Sequence, residues 1–173
     1  VTATNGIDYT ATTWINFTFL PGETSKQATV TITDDLTYEG NETFLFTMSN
    51  LSANLAMGTN PGTGTIVDDD PIPVINIDTP PAVDEGAGTL TFTVSLSNPS
   101  AFPIGTCYID LPGTATPLLD YTPVAPGGVC PPPLNTLSFA PGVTSMPIVV
   151  PILEDAWDEA AETFTMNLIA PAP

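Results

Sequence analysis

Histidine is absent from this 173-residue sequence, and lysine and arginine together number one, Lys26. Without histidine and with a single lysine, the usual nucleophile–base pairs of enzymes cannot be assembled, so the sequence reads as a non-enzyme. Two carboxylates facing across a cleft could still hydrolyse a glycoside, but the acids here gather in clusters rather than as one facing pair. Against that one base stand 19 acids, for a net charge of -18. Such a charge excludes nucleic acid as a partner, because nothing could neutralise phosphates. It argues equally against an anionic membrane surface. There is no hydrophobic run long enough to span a bilayer, so membrane insertion by this segment is not expected; that no signal peptide is seen says little of a chain that reads as a piece of something larger. Cysteine is scarce as well: Cys107 and Cys130 have no histidine nearby and no CxxC spacing. Zinc therefore lacks its preferred ligands, and a disulfide in an oxidising, extracellular setting is the favoured reading.

What is present points to strands. Only 12% of residues are charged while 42% are hydrophobic, which removes the disordered reading. Residues 14–19, 27–33, 43–48, 89–96 and 163–168 alternate with period two, and Pro-Gly pairs at 21–22 and 141–142 separate strands. Nothing shows a convincing helical period. Short, evenly spaced strands with such turns predict β-sandwiches. Val30, Ile32, Phe44 and Phe46 should face one core, and Val150, Ile152, Phe164 and Met166 another.

An acidic phrase occurs twice. Phe19-Leu-Pro-Gly22, Asp34-Asp35, Glu39 and Glu42-Thr43-Phe44 return as Phe139-Ala-Pro-Gly142, Glu154-Asp155, Glu159 and Glu162-Thr163-Phe164, at a constant offset of 120. Earlier, Thr2-Ala3-Thr4 and Asp8-Tyr9 return as Thr114-Ala115-Thr116 and Asp120-Tyr121 at an offset of 112. Eight extra residues therefore enter the second copy between Tyr121 and Phe139, in the Pro-rich segment that carries Cys130. That segment reads as a surface excursion pinned to the strand holding Cys107. A long-period repeat implies tandem domains of one design. The expected boundary lies at Asp68-Asp-Asp-Pro-Ile-Pro73, giving domains 1–71 and 72–173. The first lacks counterparts of the second's opening strands, and the second lacks a counterpart of Gly64-Thr-Ile-Val-Asp68. Both domains are thus expected to be incomplete at the chain ends, as in a window on a longer array.

Of the 19 acids, 14 belong to this repeated signature. Concentrated like charge is destabilising unless neutralised, and oxygen-only clusters on β loops suit a hard cation such as calcium. The plain alternative is a solvated acidic surface like that of proteins adapted to high salt. Asn16, Asn41 and Asn50 open glycosylation-type triplets, which arise readily by chance in Thr-rich chains.

The phrases Asp8-Tyr9, Phe19-x-Pro-Gly-Glu-Thr, Ile32-Thr-Asp-Asp35, Glu39-Gly-Asn-Glu-Thr-Phe44 and Thr65-Ile-Val-Asp-Asp-Asp70 resemble the Calx-beta domain. So do Val83-Asp-Glu85-Gly, Asp120-Tyr121, Phe139-x-Pro-Gly and Glu154-Asp155 through Phe164 in the second copy. The resemblance implies two tandem, antiparallel, seven-stranded, immunoglobulin-like sandwiches with calcium at one tip of each. Carried over residue by residue, it implies Asp8, Asp34, Asp35, Glu39, Glu42, Asp68, Asp69 and Asp70 as ligands in the first domain. In the second it implies Glu85, Asp120, Asp155, Glu159 and Glu162; Glu154, one methylene longer than Asp34, is left outside the set. The function expected is a calcium-binding structural repeat of an extracellular rod, filament or surface adhesin, partnered by neighbouring repeats or identical subunits. A calcium-dependent module for a surface ligand, sugar or protein, is the second reading, with Trp157 its best contact residue.

Overall fold

A computed structural model describes residues 2–12, 15–125 and 136–169. Trp14 and Cys130 lie outside these residues. The fold is all-β and antiparallel, with no α-helix among the described residues. The chain divides into two compact units, Val1–Asp70 and Pro71–Pro173.

The second unit contains strands β5 (Ile75–Ile77), β6 (Thr89–Leu96), β7 (Ile104–Pro112), β8 (Thr136–Phe139), β9 (Ser145–Pro151) and β10 (Phe164–Ile169). They form two three-stranded sheets, β5-β6-β9 and β10-β7-β8. Alternation explains the sandwich between them. Phe92, Val94 and Leu96 of β6 and Ile148 and Val150 of β9 point inward from one sheet; Leu137 and Phe139 of β8 and Met166 of β10 point inward from the other. Tyr121 and Ala115 fill the gap between the sheets. Burying such side chains contributes roughly 1.5–3 kcal/mol each before entropy is charged against it. The expected inward set holds here: Val150 is fully buried, Met166 is buried, and Ile152 and Phe164 pack against the core. Cys107 is buried on β7, and no described cysteine is free.

The first unit contains β1 (Tyr9–Thr10), β2 (Thr31–Ile32), β3 (Glu42–Phe46) and β4 (Gly62–Ile66), paired as β1-β2 and β3-β4. Its interior is thin: Ala3 and Asp8 are its only buried residues among those described. Here two sequence expectations fail. Residues 15–19 form no strand, and the 27–33 strand shrinks to Thr31–Ile32. Ile32 is 47% exposed rather than inward, with Phe19, Leu20, Leu45 and Met48 exposed nearby in sequence. The physical reason is that the two small sheets of the described unit enclose almost no interior, with only Ala3 and Asp8 buried, and a strand pattern becomes a strand only when one face is buried.

Candidate metal centres

Each unit builds its acidic site on the same local frame. In the first, the chain turns through Thr4–Tyr9: Ile7 and Asp8 amides donate to the Thr4 carbonyl (3.2 and 3.0 Å), and the Gly6 amide donates to the Tyr9 carbonyl at 2.8 Å. The Asp8 carboxylate in return accepts the Thr4 amide. In the second, Leu119 and Asp120 donate to Thr116 (3.1 and 3.0 Å) and Leu118 to Tyr121 (2.8 Å), with the Asp120 carboxylate accepting the Thr116 amide. The turn presents one carboxylate, Asp8 or Asp120, to the strand end that carries Glu42 or Glu162. Aromatic stacking fixes that approach: Tyr9 lies on Phe44 at 4.8 Å and Tyr121 on Phe164 at 4.3 Å between ring centroids.

The result is a carboxylate triad in each unit. Asp8, Glu39 and Glu42 each bring an oxygen within 4.8 Å of the other two, and Asp120, Glu159 and Glu162 do the same. In the first unit one cavity is lined by all eight acids named from the sequence, Asp8, Asp34, Asp35, Glu39, Glu42, Asp68, Asp69 and Asp70. Loops close it. Asp35 accepts the Thr37 amide at 2.6 Å, and Asp68 accepts the Gly40 amide at 3.0 Å while its own amide donates to Asn41 Oδ1 at 3.1 Å. Asn41, one of the glycosylation-type positions, thus ties the acidic triplet to the Glu39–Glu42 loop.

In the second unit Glu85, Asp120, Glu159 and Glu162 line a common cavity with Trp157. Asp155 is not in its lining; it accepts the Trp157 amide at 2.7 Å, the counterpart of the Asp35–Thr37 bond. Asp84 and Asp158 also line the cavity and were not named from the sequence. Asp158 aligns with Tyr38, so the repeat comparison could not find it.

The electrostatics of both sites are unfavourable to bare carboxylates. Desolvation, then Asp8, Asp35, Asp68 and Asp70, raises the Glu39 carboxyl above its ordinary value. Desolvation and the neighbouring Asp8 raise Glu42, and desolvation with the adjoining Asp68 and Asp69 raises Asp70. In the second unit a hydrogen bond with Asp120 and then desolvation raise Glu162, and desolvation with Asp155, Asp120 and Glu85 raises Glu159. Glu42 Oε2 is buried without a hydrogen-bond partner. No base compensates: Lys26 is engaged by Glu23 at 2.7 Å. A buried, unpartnered carboxylate oxygen amid several others is a donor set that fits a hard divalent cation, which takes six to eight oxygens in flexible geometry.

Comparison with known proteins bears on the same segments. No curated protein matches the sequence. Among solved structures, the apo-form Calx CBD1 domain is similar at 23% identity and a TM-score of 0.42, over 51% of this chain and 70% of that one. CBD12 from CALX1.2 is similar at the same identity and TM-score, over 51% of this chain and 33% of that chain. The sequence profile of the Calx-beta domain matches twice, at residues 1–70 and again at residues 68–172. With two matches that together run through nearly all of its length, the chain belongs to the Calx-beta domain family.

Proposed function

We propose that this chain is a calcium-binding structural module of an extracellular rod, filament or surface adhesin, in which the metal neutralises the acidic clusters and stiffens the array. Calcium binding is a property of the Calx-beta family, and its domains are binding modules rather than enzymes. The observation that carries the reading here is the convergence of eight carboxylates on one cavity, one with an orphaned buried oxygen, in a chain with a single base. In the first site Asp8, Glu39 and Glu42 would form the inner donor set, with Asp34, Asp35 and Asp68 to Asp70 completing it. In the second, Asp120, Glu159 and Glu162 would do so with Glu85, and Asp155 would join from the adjacent turn.

Domains at 1–71 and 72–173 follow the repeat, with neighbouring repeats or identical subunits as partners. An extracellular setting is part of the proposal because a disulfide joining the chain's two cysteines, Cys107 and Cys130, would need an oxidising compartment. No helix of the described residues is long and apolar enough to cross a membrane.

Thermal unfolding with calcium and then with EGTA tests the central claim. Extracellular modules bind at roughly 10⁻⁴–10⁻³ M, so calcium at 100 times the dissociation constant should add about 2.7 kcal/mol per site. Sodium chloride at matched ionic strength is the control. If it reproduces the calcium shift, the acids are a solvated, screened surface and the metal reading fails.

A second reading, a calcium-dependent ligand site, is favoured by one observation: Trp157 is 79% exposed and lines the second acidic cavity. A glycan or peptide that quenches or shifts Trp157 fluorescence only with calcium present would support it. Unchanged fluorescence across such a panel would dismiss it.

A further inference from the structure

One buried carboxylate of the second unit belongs neither to the triad nor to the lining of the acidic cavity. On β7, Ile104 and Tyr108 pack against the core. Asp110 follows them at the same alternation, opposite the buried Met166 of β10. Only 8% of it is exposed. A carboxylate in such a place is unfavourable unless donors meet its oxygens, and the donors it meets are specific. One oxygen accepts the Ala125 amide at 2.6 Å, and the other faces the Tyr121 hydroxyl in a longer contact of 3.4 Å. Both partners are themselves fully buried.

Tyr121 is the residue that places the triad. Its carbonyl accepts the Leu118 amide at 2.8 Å, closing the turn in which the Thr116 amide donates to the Asp120 carboxylate. Beside it, the Asp120 carbonyl accepts the Leu153 amide and the Thr122 amide donates to the Pro151 carbonyl, both at 2.9 Å. The tyrosine ring lies on Phe164 at 4.3 Å, two residues beyond Glu162. Asp120 and Glu162 thus take their places from one pair of stacked rings. Stacking leaves a ring free to slide and tilt in its plane, whereas a hydrogen bond at its tip fixes its depth. Asp110 supplies that bond, and the Ala125 amide on its other oxygen fixes Asp110 in turn.

We propose that Asp110 is a positioning residue for the second acidic triad. Through the Tyr121 hydroxyl it sets where the Asp120 carboxylate stands against Glu162. Through the Ala125 amide it makes the start of the Pro-rich excursion part of the same support. The role is geometric: an amide of the same shape can accept from Ala125 and meet the Tyr121 hydroxyl equally well. The consequence for metal affinity rests on the proposed calcium site, but the positioning itself does not.

The test uses the full chain and amide NMR, first in EGTA. The Thr116 amide reports the pose of Asp120, and the Thr4 amide, bonded to Asp8 in the same way, is the internal control. In Asp110→Ala, Thr116 should exchange about tenfold faster while Thr4 and the β6 amides keep their parent rates. Asp110→Asn should restore the parent rate. Tyr121→Phe removes the hydroxyl alone; it should act in the same direction, and carries the comparison if Asp110→Ala does not fold. The two changes together should do little more than either alone. Calcium is then titrated into each variant. Shifts at Asp120, Glu159 and Glu162 should give a dissociation constant about tenfold weaker in Asp110→Ala, with Asp8, Glu39 and Glu42 unaffected. Parent-like Thr116 exchange in the variants would overturn the proposal. So would Asp110→Asn as impaired as Asp110→Ala, which would make charge and not placement the cause. If the parent's second triad shows no calcium shift while Thr116 still responds, the calcium site fails and the positioning role stands.

Discussion

At the level of single residues, the two copies differ most informatively at the turn before the acidic triad. Gly6 has φ +86° in the first copy, and Leu118 holds the same place with φ +69° in the second. A left-handed conformation is free for glycine but costs a leucine on the order of 1–3 kcal/mol. Leu118 is 71% exposed, so little packing is lost by removing it. Leu118→Gly is therefore expected to stabilise the second unit by about 1 kcal/mol after the added backbone entropy, or roughly 4–8 °C in a domain of this size. Calorimetry showing a lower melting temperature would mean that Leu118 makes a contact worth more than its strain. Glu42 gives the second residue-level test. Its carboxyl is raised by desolvation and by Asp8, and Gln keeps the shape while removing the like charge. Glu42→Gln should raise the melting temperature of the first unit by a few degrees in EGTA, and abolish its calcium-dependent rise. A variant that is destabilised without calcium yet still responds to it would exclude Glu42 as a ligand. Asp110 shows what the sequence hid. It is buried on β7, accepting the Ala125 amide at 2.6 Å and the Tyr121 hydroxyl at 3.4 Å; with no counterpart in the first copy, the repeat gave no reason to single it out.

Strands were legible in proportion to how completely they are covered. The 89–96 run emerges as β6 with those same ends because one face meets the opposing sheet while β5 and β9 flank it. By contrast 14–19 and 27–33 carry as clear an alternation, yet the described part of the first is not a strand and the second is two residues long. Period two records what a segment can bury, not whether anything faces it. The site was read the same way. Acids present in both copies were found by offset, whereas Asp84 and Asp158, which line the second cavity, have no acidic counterpart to reveal them. Pairing partners also escaped the sequence, and β3-β4 is the case that matters. Gly64 sits against the Phe44 ring with no room for a Cβ, so Gly64→Val should part these two strands. The first unit should lose several kcal/mol, as overpacking and broken ladder bonds combine, while the second keeps its own transition. Limited proteolysis would register this as cleavage confined to residues before Asp70. Resistance equal to the parent would mean that the ring swings aside at little cost.

Over the whole molecule the dominant quantity is a net charge of -18 on 173 residues, and its sign fixes how stability should depend on pH. Glu39, Glu42, Asp70, Glu159 and Glu162 all have folded-state values above their ordinary 4.5 or 3.8. For an acid raised by folding, the native state binds protons more readily than the unfolded one, so stability is lost as pH rises through the folded value and regained as pH falls toward the unfolded value. In EGTA the chain should therefore melt higher at about pH 5 than at neutral pH, an unusual direction for a carboxylate-rich protein. Glu23, lowered by its exposed pair with Lys26, works the other way; solvent screens it, as it screens the exposed Glu159 and Glu162, so the trend is carried chiefly by Glu39, Glu42 and Asp70 of the first unit. Calcium should invert the profile, because a carboxylate must be ionised to bind metal: the calcium-induced rise is expected to be largest at neutral pH and to fade as the same acids protonate. Melting curves at several pH values, each with calcium and with EGTA, measure both trends on one sample. Crossing profiles would tie the raised carboxyls to the metal sites. Parallel profiles would separate them, leaving calcium to act elsewhere on the acidic surface than at the two triads.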